Sequence, residues 1–175
     1  MNEGKSSQKG KALEVIKTYP VPFSLERNKE EITINNNSVR LAHEKIFKQA
    51  FSLHSKGKLL EALKYYELLI KNNFHDHRVF INHGIILKDL GRLKQAKIST
   101  LNAIKIKPDF AIYHFNLGVI LMDLGNLEEA EMSMKKAIEI KSKFPKAHIK
   151  LGEILLGLGK IEEANISEWK AINLN

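Results

Sequence analysis

From His43 onward, apolar and polar positions recur at a fixed spacing of 34 residues with no insertion or deletion. In that register Gly57, Gly91, Gly125 and Gly159 superpose, as do Ala62, Ala96, Ala130 and Ala164, and Ile70, Ile104, Ile138 and Ile172. Four units therefore start at His43, His77, Ala111 and Pro145. Within the third unit, Tyr113, Asn116, Leu117, Ile120, Leu121 and Leu124 precede the fixed glycine; Leu127, Ala130, Met134, Ala137 and Ile138 follow it. Apolar residues at such spacings give one sticky face per helix, so each unit predicts a helix, a tight turn and a second helix. Such a period marks a stacked array, in which each unit buries its apolar face against its neighbours instead of in one globular core.

The fixed glycine is expected to supply the left-handed residue that ends the first helix. Small residues at Ala50, Gly84, Gly118 and Gly152 are expected to meet Ala62, Ala96, Ala130 and Ala164 across each pair, letting the two backbones approach. These features resemble the tetratricopeptide repeat (TPR), a 34-residue unit with a large residue at unit position 4, Leu-Gly at 7 and 8, a large residue at 11, Ala at 20, an aromatic at 24 and Ala at 27. Leu117, Gly118, Leu121, Ala130 and Ala137 fit that pattern, as do Leu151, Gly152, Leu155, Ala164 and Ala171. The resemblance covers residues 43–175 and implies an all-α, right-handed α-solenoid of four helix-turn-helix units. The first unit departs from the pattern, with Gln49-Ala50 for Leu-Gly and Leu69 for an alanine, although Gly57, Ala62 and Tyr66 hold the frame. Position 24 is Tyr66, Thr100, Met134 and Glu168, and the proline expected at position 32 appears only as Pro108, so the turns between units should differ. Pro145 falls at a first helical position, where its missing N–H is harmless.

Residues 1–38 lie before this frame and read as a disordered or extended tail, with a Ser/Lys/Gly-rich start, Tyr19-Pro20-Val21-Pro22-Phe23 and the run Asn35 to Asn37. Ser38 is the expected N-cap of the first helix, and residues 39–175 the repeat domain. The Val-Pro-Phe segment reads as a linker before it reads as a peptide ligand. No apolar run at the amino terminus is long enough for a signal peptide and no stretch is long enough for a membrane span, so a cytoplasmic protein without a membrane partner is expected. The absence of cysteine fits a reducing compartment and excludes a disulfide.

The net charge of +8 raises a nucleic-acid reading, but the charge is local: +2, +5, −1 and 0 for the successive units. Arg92, Lys94, Lys97, Lys105 and Lys107 supply most of the second unit's excess and are placed in its second helix, the outer layer of a TPR array. No aromatic residues are interleaved there, so a solvated face is the better reading and nucleic acid is not expected as a partner. His114 and His148 repeat one unit position and read as packing residues. His75-Asp76-His77 lacks further ligands at a metal spacing and reads as a polar surface turn; no metal or cofactor is expected. Gly157-Leu158-Gly159-Lys160 fails as a phosphate loop, with Ile154 and Ile161 where Gly and Ser or Thr are required. Glu128-Glu129 and Glu162-Glu163 start second helices, where acidic groups favour the positive helix end, so no catalytic pair and no enzyme is expected.

The resemblance implies that first helices line the inner surface through unit positions 2, 5, 6, 9, 12 and 13. Positions 5 and 9 give Phe47, Phe51, Ile81, Ile85, Phe115, Val119 and Ile149, an apolar strip that breaks only at Glu153. Position 6 gives Lys48, Asn82, Asn116 and Lys150. These residues with Lys146 form the expected peptide-binding groove; the bland reading is that the strip merely thickens packing between first helices. Asn116, Lys146 and Lys150 match the second half of the family's carboxylate clamp, but Ile81 and Ile85 stand where its first Lys and Asn belong. Asn82 and Asn116 resemble the asparagine ladder in the TPR arm of O-linked N-acetylglucosamine transferases, where side-chain amides bond a peptide backbone.

The resemblance thus implies a non-catalytic interaction module that binds a peptide segment of another protein in its concave groove. The alternative is a recruiting arm related to such a glycosyltransferase or another transferase. The fourth unit carries Trp169 at position 25, with Ile166, Ile172 and Leu174 nearby, and the sequence shows no further helix to cover it. Either self-association through Trp169 and Ile172 or truncation from a longer ancestral array is therefore expected as well.

Overall fold

The computed structural model describes residues 29–174, with side chains from residue 36. Its helices are α1 (Lys29–Ser55), α2 (Leu59–Lys71), α3 (His77–Asp89), α4 (Leu93–Ile106), α5 (Ala111–Asp123), α6 (Leu127–Ile140), α7 (Pro145–Gly157) and α8 (Ile161–Asn173). Among the described residues there is no strand, and no helix is long and apolar enough to cross a membrane. Each fixed glycine ends its unit's first helix, at φ +73°, +72°, +79° and +74° for Gly57, Gly91, Gly125 and Gly159. The residue after each glycine reaches back five positions, with N–H donated from Lys58, Arg92, Asn126 and Lys160 to the carbonyls of Leu53, Leu87, Leu121 and Leu155 at 2.8–3.0 Å. This is the Schellman closure, which satisfies carbonyls the helix end leaves free.

Two expectations need correction. Helix α1 begins at Lys29, so Ser38 lies inside it instead of capping it. From Lys29 to Ser55 there is neither Gly nor Pro to interrupt the helix. The Tyr19–Phe23 segment lies outside the described residues. Second, the small residue at position 8 makes room chiefly for position 24. A Cβ on Gly84 would lie 2.7 Å from Thr100 Oγ1, on Gly118 2.8 Å from Met134 Cε, and on Gly152 3.0 Å from Glu168 Cγ. The backbone of the position-20 alanine comes next, at 3.3 Å for Ala96 O and 3.6 Å for Ala164 O.

Turns between units differ as expected: Asn73 takes φ +55° after α2, whereas α4 and α6 run out through Lys107 at φ −138° and Lys141 at φ −132°. The core is a chain of packed junctions. Tyr66, Leu69, Val79 and Ile86 are fully buried in the first half of the array, Met134, Ala147 and Ile154 in the second. Burial pushes the Tyr66 hydroxyl pKa up to about 12, and this hydroxyl has no hydrogen-bond partner. Besides pairing within units, α1 packs on α3, α3 on α5 and α5 on α7, while the backbones of second helices stay apart and are bridged by long side chains such as Lys97 and Glu129. The first helices therefore crowd together on the inner side of the curve and the second helices spread on the outer side.

Candidate peptide-binding face

The inner face presents only part of the predicted strip. Phe47 and Ile81 are buried at 8% and 7% exposure, and Ile85, Phe115 and Val119 are half-buried. Phe51 and Ile149 remain open at 52% and 44%. The packing reading therefore holds for Phe47, which lies 6.2 Å from the Tyr66 ring, and for Ile81, which joins Phe80, Ala103 and Tyr113. Phe115 is tied down too, its ring 5.2 Å from Phe144. Sequence reasoning missed Ile112 and Leu156, open at 44% and 49% and standing at inner positions 2 and 12, which the register itself could have supplied.

The polar residues also divide. Lys48 and Lys146 are exposed, whereas Lys150 is held by Glu153 at 2.6 Å. Asn82 donates from its side-chain amide to Arg78 O at 2.8 Å, one turn back, spending one of its two N–H donors inside its own helix. Asn116 is half-buried and its side chain has no hydrogen-bond partner among the described residues. The two amides are thus inequivalent, and only Asn116 keeps both donors and its acceptor for a guest.

At the His75-Asp76-His77 turn, the structure shows a joint between units. Asp76 caps α3 by accepting from Arg78 N at 2.8 Å, and Arg78 Nη2 bonds both Asp76 Oδ2 at 2.7 Å and Glu44 Oε1 at 2.6 Å. The guanidinium also lies 4.5 Å from the centre of the Phe47 ring. Burial works to raise the Asp76 pKa, but the bonds from Arg78 outweigh it and hold the carboxyl below its usual range. The same bonds push Arg78 above its ordinary value. His77 turns inward, its Nδ1 2.5 Å from the Tyr113 hydroxyl and its ring beside Phe110. No group of three His, Cys, Asp or Glu residues among the described ones is placed to hold a metal ion.

On the outer side, Arg92 and Lys107 cap α4 instead of lying within it, and Lys97 bridges to Glu129 of α6 at 2.8 Å. Glu131, 7% exposed, accepts from Lys135 at 2.6 Å and from Lys160 at 2.7 Å; these bonds outweigh its burial and hold its pKa low. His148 is buried as a packing residue, but His114 is only half-buried and bonds Pro108 O at 2.7 Å. Trp169 also corrects an expectation. Position 25 is exposed in every unit, at Glu67, Leu101 and Lys135 as well as at Trp169, so Trp169 faces outward and a following repeat would not cover it. Ile172 does fit that idea: it is 73% exposed, where Ile70, Ile104 and Ile138 are half-buried.

Residues 77–110 and 111–144, the second and third units, each match the family model described as Tetratricopeptide repeat. No curated protein matches the chain. Solved structures of MamA are similar to it: one titled "Crystal structure of MamA" has 20% identity and a TM-score of 0.73, covering 75% of this chain and 77% of that one. MamA from Desulfovibrio magneticus RS-1, residue 41 to the end, gives 19% and 0.72 with 75% of each chain covered, and MamA MSR-1 gives 22% and 0.69 over 75% and 76%. Likeness at such identities concerns the fold. Residues 77–144 thus carry two tetratricopeptide repeats by direct match, and the units on either side share their 34-residue frame and glycine-closed helix pairs.

Proposed function

We propose that this protein is a non-catalytic interaction scaffold whose inner face holds a segment of another protein. The observation that carries this reading is the set of apolar side chains left open on first helices, Phe51, Ile112, Ile149 and Leu156, beside the unpartnered Asn116 amide. Burying such side chains favours association by about 25 cal/mol per Å² of apolar area, before the cost of ordering the partner. An amide with free donors and acceptor suits the polar backbone that an extended segment brings with it. The exposed Lys48 and Lys146 favour a segment carrying acidic groups.

The test is affinity capture from native extract with wild-type protein, Ile112→Lys with Ile149→Lys, and Asn116→Ala. These residues are exposed or half-buried, so the helical signal should stay intact while captured partners fall away. Unchanged partners in both variants would sink the inner-face reading. A second mode, self-association through Ile172 on α8, is supported by that residue's exposure where its equivalents are covered.

A further inference from the structure

The outer face carries a feature that the inner-face reading leaves unused. Between α6, α7 and α8 lie two adjoining cavities of about 270 and 340 Å³ that share Ile138, His148 and Lys170, so they form one furrow. Leu151, Leu155 and Ile166 add apolar wall at one end, Trp169 and Leu174 at the other. Sixty-eight residues earlier, a pair of cavities recurs in the same register between α2, α3 and α4, with Phe80 in the place of His148. The furrow thus follows from the way second helices splay apart, and its chemistry is set by what stands in each copy.

In the C-terminal copy His148 is only 6% exposed, yet its Nδ1 is buried without a hydrogen-bond partner. Burial lowers the pKa of the ring, a backbone hydrogen bond at Ser142 opposes it and the nearby Lys170 charge adds to it, so the neutral form is favoured. A neutral ring with Nδ1 unpaired offers an acceptor awaiting a donor. Phe80 shows that a plain apolar ring packs at this position, so the histidine sacrifices stability that phenylalanine would keep. Lys170 has no ion pair among the described residues, and the end of the furrow beside Trp169 has no carboxylate in its lining, whereas Glu163 lines the other end opposite Lys135.

We propose that this furrow is a second docking site, on the outer face, for a partner-protein segment that sets an acidic side chain beside a branched or aromatic one. The segment's backbone N–H meets His148 Nδ1 once the ring turns that atom out of its buried position toward the furrow, its carboxylate meets Lys170, and its apolar side chain lies against Ile138 and Trp169. A peptide satisfies all three demands at once, whereas a simple fatty anion brings no donor for the histidine.

Trp169, the only tryptophan in the chain, lies in the furrow and reports on it directly. The experiment titrates the full chain with acetylated, amidated hexapeptides pairing Asp or Glu with Leu, Ile, Val or Phe, following Trp169 emission. Charge-reversed Lys peptides and octanoate serve as comparisons. Acidic peptides should shift the emission and bind at least ten-fold more tightly than either comparison. His148→Phe, which copies the second unit, should fold with an equal or higher melting temperature yet bind about ten-fold more weakly, and Lys170→Glu should abolish binding. Ile149→Lys, on the inner face, should leave this titration unchanged. The proposal is overturned if no acidic peptide moves the emission, if octanoate binds as well, if His148→Phe and Lys170→Glu bind like wild type, or if Ile149→Lys removes the binding.

Discussion

Gly125 offers the cleanest test of how a unit is held together, because its substitution isolates one physical term. Its φ is +79°, and a Cβ added there would meet nothing within 4 Å. Gly125→Ala therefore creates no clash, and its whole cost is that of placing an L side chain in the left-handed region, about 1–2 kcal/mol. Gly125→Asn should cost less, since asparagine visits that region more readily, and Gly125→Val more, up to about 3 kcal/mol. Gly118→Ala is the contrasting variant: its cost should come from the Met134 side chain, 2.8 Å from the new Cβ, and Met134→Ala in the same chain should relieve part of it. Urea unfolding followed by circular dichroism would rank the four glycine variants, and amide exchange would place the loss. In a repeat array each unit depends on its neighbours, so exchange should rise in α5 to α8 before α2. Equal stability of the Ala, Asn and Val variants at Gly125 would refute the left-handed closure as the term that matters. A cost for Gly118→Ala that Met134→Ala leaves untouched would refute the steric account of that glycine.

Asp76→Ala should cost about 1 kcal/mol as a lost N-cap and leave Arg78 paired with Glu44 alone, lowering the urea midpoint; an unchanged midpoint would show that the joint between the first two units needs no cap. Burial lowers the pKa of His83 and of His148 below the ordinary 6.5, so the folded chain binds fewer protons than the unfolded chain and stability should decline as pH falls through and below about 6.5. His83→Phe with His148→Phe should flatten that part of a melting-temperature profile; an equally steep decline in the double variant would refute the assignment. Asp76 and Glu131 have lowered values, so their contribution is present at neutral pH and should be lost as pH falls through the carboxylate range, below about 4. Light scattering over a concentration series should show association that Ile172→Lys weakens and Trp169→Lys does not, whereas a monomer at every concentration would rule that mode out.

The helix pairs were legible because periodicity, a positive-φ glycine and a Leu carbonyl at fixed register all point to the same turn. The start of α1 was not, since Asn35 to Ser38 look like a loop and only the absence of Gly or Pro after Lys29 argues otherwise. The groove was half legible. Register places Phe47 and Ile81 on the inner side, but whether such a residue is open depends on its neighbours: Arg78 lies over Phe47, and Phe80, Ala103 and Tyr113 pack with Ile81. Cross-unit contacts such as Arg78 with Glu44 and Glu131 with Lys160 carry no sequence signal of their own. The same limit concealed the outer furrow, because His148 and Phe80 share a unit position and only burial reveals the unpaired Nδ1.

The central claim is that a partner segment lies on the inner face. Photocrosslinking tests it most directly, with benzoylphenylalanine replacing Ile112, Ile149 or, on the outer side, Met132, which is 72% exposed. In native extract, crosslinks to one partner segment should form from Ile112 and Ile149 and be absent from Met132. Crosslinks from Met132 with none from the two inner positions would contradict the account.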